Sequence, residues 1–300
     1  MGTLHMLRRA VSLFRLLVVL AGCSVAVNSR AQGGGKIPEV ERAGKVTIAP
    51  ASELRDDPHA DSMLAGLLQA YLARVQGTVG APTSGDFAHQ LAAQAQAKAR
   101  AFEANRGTLR SLVAFADGNR AARAALRAKF AIARMLERYF RDWDGLAVAR
   151  RMYQEIVDGY PGSAEAALSK LRILEFDLRE QKRRDFEKGA ILRGPSLEVR
   201  QCLNRIKEEI ARSEAVIHKL DGDPTALGTA FKRFLLWTPG GSLDGRYRLL
   251  LAATLEELGD NAEAKRIYEG ILRDLPKSTD AKDAALALES MRIMEKLGAP

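Results

Sequence analysis

The sequence predicts an all-α protein, and three observations carry that prediction. Ala, Leu, Arg and Glu dominate the 300-residue chain and aromatic residues make up only 6%, a composition typical of helices rather than sheets. Apolar residues recur every three or four positions through most of the chain, as they do on one face of a helix. No stretch shows the convincing alternation of apolar and polar residues that marks a half-buried strand.

Residues 1–22 are predicted to be a signal peptide. Three arginines precede the apolar run 16–22, and no acidic residue occurs before Glu39. A basic segment followed by a short apolar one is typical of secretory signals, and this run is too short to span a bilayer as a helix. Its removal takes away three arginines and no acidic residue, so the net charge of +9 becomes smaller in the mature chain.

The segment Leu20-Ala21-Gly22-Cys23 resembles the bacterial lipobox. That resemblance implies that Cys23 carries a lipid anchor, and that Ser24 directs the protein to the outer membrane, facing the periplasm. Several acyl chains make a stable anchor, because each buried methylene contributes about 0.8 kcal/mol. The alternative is an ordinary signal peptide cut after Ala31, which gives a soluble periplasmic or secreted protein.

Residues 23–58 are predicted to be a flexible tether, because they contain a Gly-Gly-Gly run and several prolines but little periodicity. A short extended piece is expected at 45–48. A helical N-terminal segment, 59–116, follows. Its first helix has apolar residues on one face from Met63 to Val75, and two further helices are expected at 87–104 and 108–116.

The remainder, 120–297, is predicted to be a domain of consecutive helices separated by Gly and Pro. Ser163 has the position of a helix N-cap, and Asp223 followed by Pro224 indicates another helix start. The expected helices span 121–141, 147–158, 164–184, 196–220, 224–237, 243–258, 262–274 and 278–297.

Two stretches of this domain repeat one pattern with equal steps. The first stretch contains Ala149, Tyr153, Ile156 and Pro161, and the second contains Ala264, Tyr268, Ile271 and Pro276. A small residue lets two helices approach closely, the aromatic fills the gap to the next unit, and the proline ends the helix. A degenerate third copy is Leu227, Phe231, Phe234 and Pro239, where a leucine replaces the small residue.

This pattern resembles the tetratricopeptide repeat, a helix-turn-helix unit of about 34 residues. The resemblance implies a right-handed superhelix of helical hairpins over residues 120–297. Together with the lipobox and the Gly-rich segment, the chain is similar to periplasmic tetratricopeptide lipoproteins of the BamD type and of the Tol–Pal coordinating type. It departs from the BamD type because a helical segment without repeats precedes the array.

A set of arginines is the candidate binding site. Arg127, Arg134, Arg138 and Arg141 fall on one face of the first repeat's leading helix. In a tetratricopeptide array the leading helices line the concave groove, so guanidinium groups there would favour an acidic peptide or a C-terminal carboxylate. The alternative interpretation is a solvated helix face, which Glu137 shares.

No pattern typical of catalysis occurs in the sequence. No two of the four histidines have the i, i+4 spacing of a metal-binding helix, and there is no Gly-rich phosphate loop or nucleophile elbow. Asp56, Asp57 and Asp61 around His59 are interpreted as a helix cap rather than a metal site. We therefore expect no enzyme activity, no metal, no cofactor and no small-molecule substrate.

These observations predict a non-catalytic scaffold or adaptor at the bacterial cell envelope, which binds a protein or peptide partner on its concave face. Nucleic acid is not expected, because the positive charge is modest and spread along the chain. Two alternatives are kept. One is a periplasmic enzyme or enzyme accessory with an all-α fold and no recognisable motif, and the other is a soluble secreted binding protein.

Overall fold

The computed structural model describes residues 37–77, 87–188, 195–236 and 241–296. These residues form eleven α-helices, and within those ranges the only extended pairing is one isolated bridge between Arg55 and Ala122. The predicted all-α class is therefore confirmed. The helices are α1 Pro38–Ala43, α2 Pro58–Gly77, α3 Phe87–Gly118, α4 Arg123–Tyr139, α5 Leu146–Gly159, α6 Ala164–Glu187, α7 Leu197–Asp221, α8 Ala226–Leu236, α9 Leu243–Leu258, α10 Asn261–Asp274 and α11 Thr279–Lys296.

Side-chain caps start several helices where the sequence places them. The Ser163 hydroxyl accepts a hydrogen bond from the Ala166 N–H at 3.0 Å, as predicted for the start of α6. The Asp57 carboxylate accepts from the N–H groups of His59 and Ala60 at 2.9 and 3.2 Å, at the start of α2. These bonds satisfy backbone donors that have no partner within the helix.

The start of α8 lies two residues later than the sequence indicates. Thr225 is the capping residue, since its hydroxyl accepts a hydrogen bond from the Gly228 N–H at 2.9 Å. Asp223 forms a turn before it and accepts from the N–H and the hydroxyl of Thr225 at 3.0 and 2.7 Å. The Asp223–Pro224 pair therefore marks the turn that precedes the helix rather than the first helical residue.

Helices α4 to α7 form a series in which each helix packs on the next. Helices α9 and α10 continue it, because α9 packs on α7 and α10 packs on α9. Helix α8 leaves the series and packs mainly on α2. Residues 37–288 form one compact unit, which contains this series and α8.

The third copy of the repeat pattern lies on α8 and does not take the place of a repeat helix. Phe234 packs edge-on against Tyr71 of α2 with ring centroids 5.7 Å apart, and Phe231 packs against Phe130 of α4 at 6.0 Å. Leu227 is also buried. The large side chains at these positions fill the space between α2 and α4, whereas a repeat helix would need a small residue there; Pro239 lies outside the described residues.

The two closely matched copies end in the same turn. Tyr160 and Leu275 have nearly equal backbone angles, φ −133° and ψ 50° against φ −129° and ψ 46°. Ser163 and Ser278 donate backbone hydrogen bonds to these two residues at 3.1 and 2.9 Å, and each serine caps the helix that follows. The sequence pattern thus corresponds to a repeated local structure.

The turn before each copy also matches. Asp144 and Gly259 occupy equivalent positions and both have a left-handed backbone, with φ of 60° and 91°. Gly145 follows the first of them, and a Cβ on it would lie 2.3 Å from the carbonyl oxygen of Phe140. Only glycine fits there, because the backbone of the preceding helix end approaches so closely.

Residues 37–58 fall within the stretch predicted as a tether, yet they contact the rest of the unit. Val40 and Ala43 of α1 and Val46 after it are buried. The Ala49 N–H donates to the Arg120 carbonyl at 2.9 Å, and the Tyr160 hydroxyl donates to the Ala49 carbonyl at the same distance. This packing could not be predicted from the sequence, because prolines interrupt the stretch and its apolar residues show no helical periodicity. The signal peptide and residues 23–36 lie outside the described residues.

Helix α3 is continuous where the sequence indicates two helices. Gly107 lies inside it, and the hydroxyl groups of Thr108 and Ser111 donate to the carbonyls of Ala104 and Gly107 within the helix. Burial of Thr108 and Leu109 offsets the weak helix propensity of the glycine.

Replacing Gly107 tests this continuity. A Cβ at this position would meet nothing within 4 Å, so Gly107→Ala should raise the free energy of unfolding by about 0.5–1 kcal/mol through the lower entropy of the unfolded chain. Urea unfolding followed by circular dichroism measures the change. Gly145→Ala is the matched control and should lower stability, because its new methyl group overlaps the Phe140 carbonyl. A loss of stability in Gly107→Ala would contradict a continuous helix.

Candidate functional site: an arginine-lined cavity

A cavity of about 450 Å³ lies among α4, α6 and α9, with additional residues from α8, α10 and α11. Four arginines line it: Arg134 and Arg138 of α4, Arg172 of α6 and Arg246 of α9. Two carboxylates, Glu175 and Asp283, and two tyrosines, Tyr247 and Tyr268, also line it. The apolar part of the wall includes Phe130, Leu168, Leu235, Leu243, Leu249 and Leu250.

Helix α4 presents Arg134 and Arg138 to the cavity because its other positions are taken up by packing. It packs on both α3 and α5, and small residues on those faces let the neighbouring helices approach closely. Its buried small and apolar residues are Ala124, Ala125, Leu126, Ala128, Phe130, Ala131, Ile132, Ala133, Met135 and Leu136. With those faces occupied, the two arginines, one turn apart, extend from the remaining face.

A buried carboxylate, Glu137, organises the arginines on the cavity wall. It is 7% exposed and accepts hydrogen bonds from Arg134 at 2.7 Å, from the hydroxyl of Tyr153 at 3.2 Å and from Arg172. Arg172 also donates to both carboxylate oxygens of Glu175, at 2.7 and 2.6 Å. These bonds connect α4, α5 and α6, so the network joins the first hairpin to the next helix.

The charges in this network keep each other ionised. Burial acts to raise the pKa of Glu137, but the guanidinium groups of Arg134 and Arg172 outweigh it and hold that pKa below its ordinary value. Burial acts to lower the pKa of Arg172, but Glu175 and Glu137 outweigh it and raise that pKa. Burial also raises the pKa of Tyr153, so its hydroxyl stays protonated and donates to Glu137.

Arg246 and Tyr247 line the cavity, and neither side chain has a hydrogen-bond or ion-pair partner among the described residues. Arg246 is exposed, and no carboxylate in the described part of the chain forms an ion pair with it. Burial and the nearby carboxylate of Glu175 raise the pKa of Tyr247 to about 12, against the opposing effect of Arg172 and Arg134. The Tyr247 hydroxyl is therefore a neutral donor near the arginine cluster, and it has no hydrogen-bond partner among the residues described.

The structure separates the four arginines predicted as one site. Arg134 and Arg138 line the cavity, and Arg138 also lies over the ring of Tyr139 at 5.6 Å. Arg127, two turns earlier on α4, forms ion pairs with Glu165 at 3.3 Å and Asp223 at 3.5 Å. Arg127 therefore stabilises contacts between α4, α6 and the start of α8.

Arg141 lies in the turn that follows α4, where it is exposed and does not line the cavity. The helix ends at Tyr139, and the chain then changes direction through Trp143 and Asp144, whose backbone angles are not helical. The predicted spacing assumed that the helix runs to residue 141. Because it stops earlier, Arg141 no longer shares a face with Arg134 and Arg138.

The residues predicted to pack the repeats are buried, apart from the two prolines. Ala149, Tyr153 and Ile156 are each 0% exposed, and Ala264, Tyr268 and Ile271 are 0–3% exposed. Both prolines lie in the turns that end α5 and α10. Tyr153 and Tyr268 also reach the site, since Tyr153 donates to Glu137 and Tyr268 lines the cavity.

Sequence reasoning missed Arg172, Arg246, Tyr247 and the role of Glu137. The first three lie on α6 and α9, each of which packs on the helix that follows it, as α4 does. Extending the search for arginines from α4 to these helices would have identified Arg172 and Arg246. Glu137 gave no such signal, because an acidic residue between arginines on a helix is usually solvated.

The predicted lipidation site, Cys23, lies outside the described residues. Cys202 of α7 is half-buried, and burial raises the pKa of its thiol. Among the described residues, no group of three or more His, Cys, Asp or Glu side chains is arranged to hold a metal ion. None of the helices in the described ranges is long and apolar enough to cross a membrane.

Comparisons with protein-family models, with curated proteins and with solved structures find no match to this chain.

Glu137→Ala tests the importance of the buried network. The substitution leaves Arg134 and Arg172 buried without their shared carboxylate, so the free energy of unfolding should fall by about 3 kcal/mol, measured by urea denaturation. Glu208→Ala is the matched control, since Glu208 forms an exposed ion pair with Arg212 on α7; it should change stability by no more than about 0.5 kcal/mol. Equal effects of the two substitutions would contradict a structural role for Glu137.

The pH dependence of stability tests the charge state of Glu137. Its pKa is lower in the folded protein than in the unfolded chain, where it is about 4.3. Its contribution is therefore fully present above about pH 4.3 and is lost as the pH falls through the lower, folded-state pKa. The difference in free energy of unfolding between wild type and Glu137→Gln should be largest at neutral pH and shrink in acid. A difference that grows as the pH falls would contradict this assignment.

Proposed function

We propose that this protein is a non-catalytic scaffold that binds a segment of a partner protein in the arginine-lined cavity. The observation that carries the proposal is the position of the cavity. It lies against the helices α4, α6 and α9, each of which begins one hairpin of the series. In helical repeat proteins such a surface is already formed before binding, so little conformational entropy is lost when a partner segment docks.

The proposed architecture is a superhelix similar to the tetratricopeptide repeat. Its support is local: the two copies share their buried small and aromatic residues, their left-handed turn and their serine-capped exit turn. Helix α8 is an insertion in this architecture, since it packs on α2 while α7 and α9 pack on each other.

The proposed location is the bacterial cell envelope, through a lipid on Cys23 that holds the protein at the outer membrane. The support is the sequence alone, in which a basic and an apolar segment precede Leu20-Ala21-Gly22-Cys23. A partner would then be an envelope protein or peptide that reaches the cavity from the periplasm.

Site-specific photocrosslinking tests the scaffold function. A photoreactive amino acid placed at Ala253, an exposed residue of the cavity wall, should crosslink a recurrent partner in cells of the native host, identified by mass spectrometry. The same group placed at Arg205, on the exposed face of α7, is the matched control and should not capture that partner. Adding Arg246→Glu to the variant with the photoreactive group at position 253 should abolish the crosslink, because it reverses the charge of an exposed cavity residue.

Two outcomes would contradict the proposal. One is the capture of the same proteins from both positions, and the other is a crosslink that Arg246→Glu leaves unchanged. A Cys23→Ala variant in the same experiment tests the location. It should move the protein from the membrane fraction to the soluble fraction, and continued membrane retention would contradict the lipid anchor.

A further inference from the structure

Part of the charge on the cavity wall is already compensated within the protein. Arg134 and Arg172 share the carboxylate of Glu137, and Arg172 also pairs with Glu175. These side chains are no more than 17% exposed. A ligand that displaced Glu137 from its arginines would leave a buried charge unpaired, which is costly. Arg134 and Arg172 therefore form a fixed wall that adds positive electrostatic potential but is not free to form an ion pair with a ligand.

Arg246 and Tyr247 differ from that wall because both can accept a new partner. Arg246 is exposed and forms no ion pair with any described carboxylate. The hydroxyl of Tyr247 is a protonated donor with no partner in the described ranges, and it lies close enough to Glu175, Arg172, Arg134 and Arg246 for their charges to influence its pKa. Because both side chains line the same cavity and lie near each other, they can reach the two oxygens of a single carboxylate.

The same face of α9 surrounds these donors with apolar side chains. Leu243, Arg246, Tyr247, Leu250 and Ala253 recur at helical spacing and all line the cavity. The leucines stand one turn before and one turn after the two donors. Leu235 and Leu236 of α8 extend the apolar surface. When a carboxylate of a ligand reaches Arg246, the ligand residues next to it contact these leucine side chains, and burial of that apolar surface is favourable.

We infer that the cavity recognises a peptide segment in which one carboxylate side chain adjoins a large aliphatic or aromatic side chain, with Arg246 and Tyr247 holding the carboxylate. This inference rests on the proposed function and names the chemistry of the partner segment. A phosphate group or a run of acidic residues fits less well, because such ligands require several available cations, whereas Arg134 and Arg172 are committed to Glu137. A basic segment is disfavoured by the arginines.

Fluorescence anisotropy with defined peptides tests the inference on the chain lacking residues 1–22. The probe is a labelled peptide of glycine and serine that contains one glutamate followed by two leucines. Three matched peptides change one feature each: glutamine for the glutamate, alanines for the leucines, and three further glutamates for serines. The glutamate–leucine peptide should bind, the glutamine and alanine peptides should each bind at least about ten-fold more weakly, and the extra glutamates should improve affinity by less than about three-fold.

Variants of the protein identify the residues responsible. Arg246→Glu should weaken binding of the glutamate–leucine peptide by about a hundred-fold, and Tyr247→Phe, which keeps the ring, by about ten-fold. Arg205→Glu makes the same charge change on α7 and should leave binding within about two-fold, beyond a small effect of net charge. Circular dichroism of each variant verifies that the fold is unchanged.

Each contrary result has one meaning. Equal binding of the glutamate and glutamine peptides, or equal effects of Arg246→Glu and Arg205→Glu, would overturn the assignment of the carboxylate site. Affinity that rises steeply with each added glutamate would show a polyanion site and overturn the preference for a single carboxylate. Failure of every peptide to bind would overturn the inference, while the photocrosslink from position 253 still decides the scaffold function.

Discussion

The buried carboxylate of Glu137 is the interaction on which the organisation of this molecule depends. It accepts hydrogen bonds from donors on three helices: Arg134 on its own helix α4, Tyr153 on α5 and Arg172 on α6. Burying a carboxylate is unfavourable unless its oxygens are paired and hydrogen-bonded. Because only the native arrangement of α4, α5 and α6 supplies all of these partners at once, the network favours one register of the three helices over others of similar apolar burial.

The same network determines what the cavity presents to a ligand. It directs the guanidinium groups of Arg134 and Arg172 toward the cavity and compensates their charge, so their side chains stay fixed. Arg246 and Tyr247 on α9 line the same cavity but are not among the groups that pair with Glu137. A protein that must bind a weakly acidic segment reversibly gains from this division, because the fixed cations provide potential while the available donors provide the direct contacts.

Helix α8 lies outside the series of helices and still contributes to the cavity. Its apolar side chains, including Phe231 and Phe234, pack toward α2 and α4, and its C-terminal end contributes Leu235 and Leu236 to the cavity wall. Asp221, at the end of α7, accepts hydrogen bonds from the hydroxyl of Ser242 and the N–H of Leu243, which brings α9 against α7 despite the intervening helix. Helix α8 therefore contributes to the cavity wall without separating α7 from α9.

The sequence by itself determined the helical class, the approximate positions of the helices from residue 121 onward and the two copies of the repeated sequence pattern, because caps, turn residues and apolar periodicity act over a few neighbouring residues. It also indicated Arg134 and Arg138. Only the tertiary structure decided that Arg127 pairs with Glu165 and Asp223, that α8 packs on α2 rather than within the series, and that residues 37–58 are packed. These features depend on contacts between residues far apart in the chain, and the side chain alone does not show whether a charged residue will be solvated, paired in the interior or left open in a cavity.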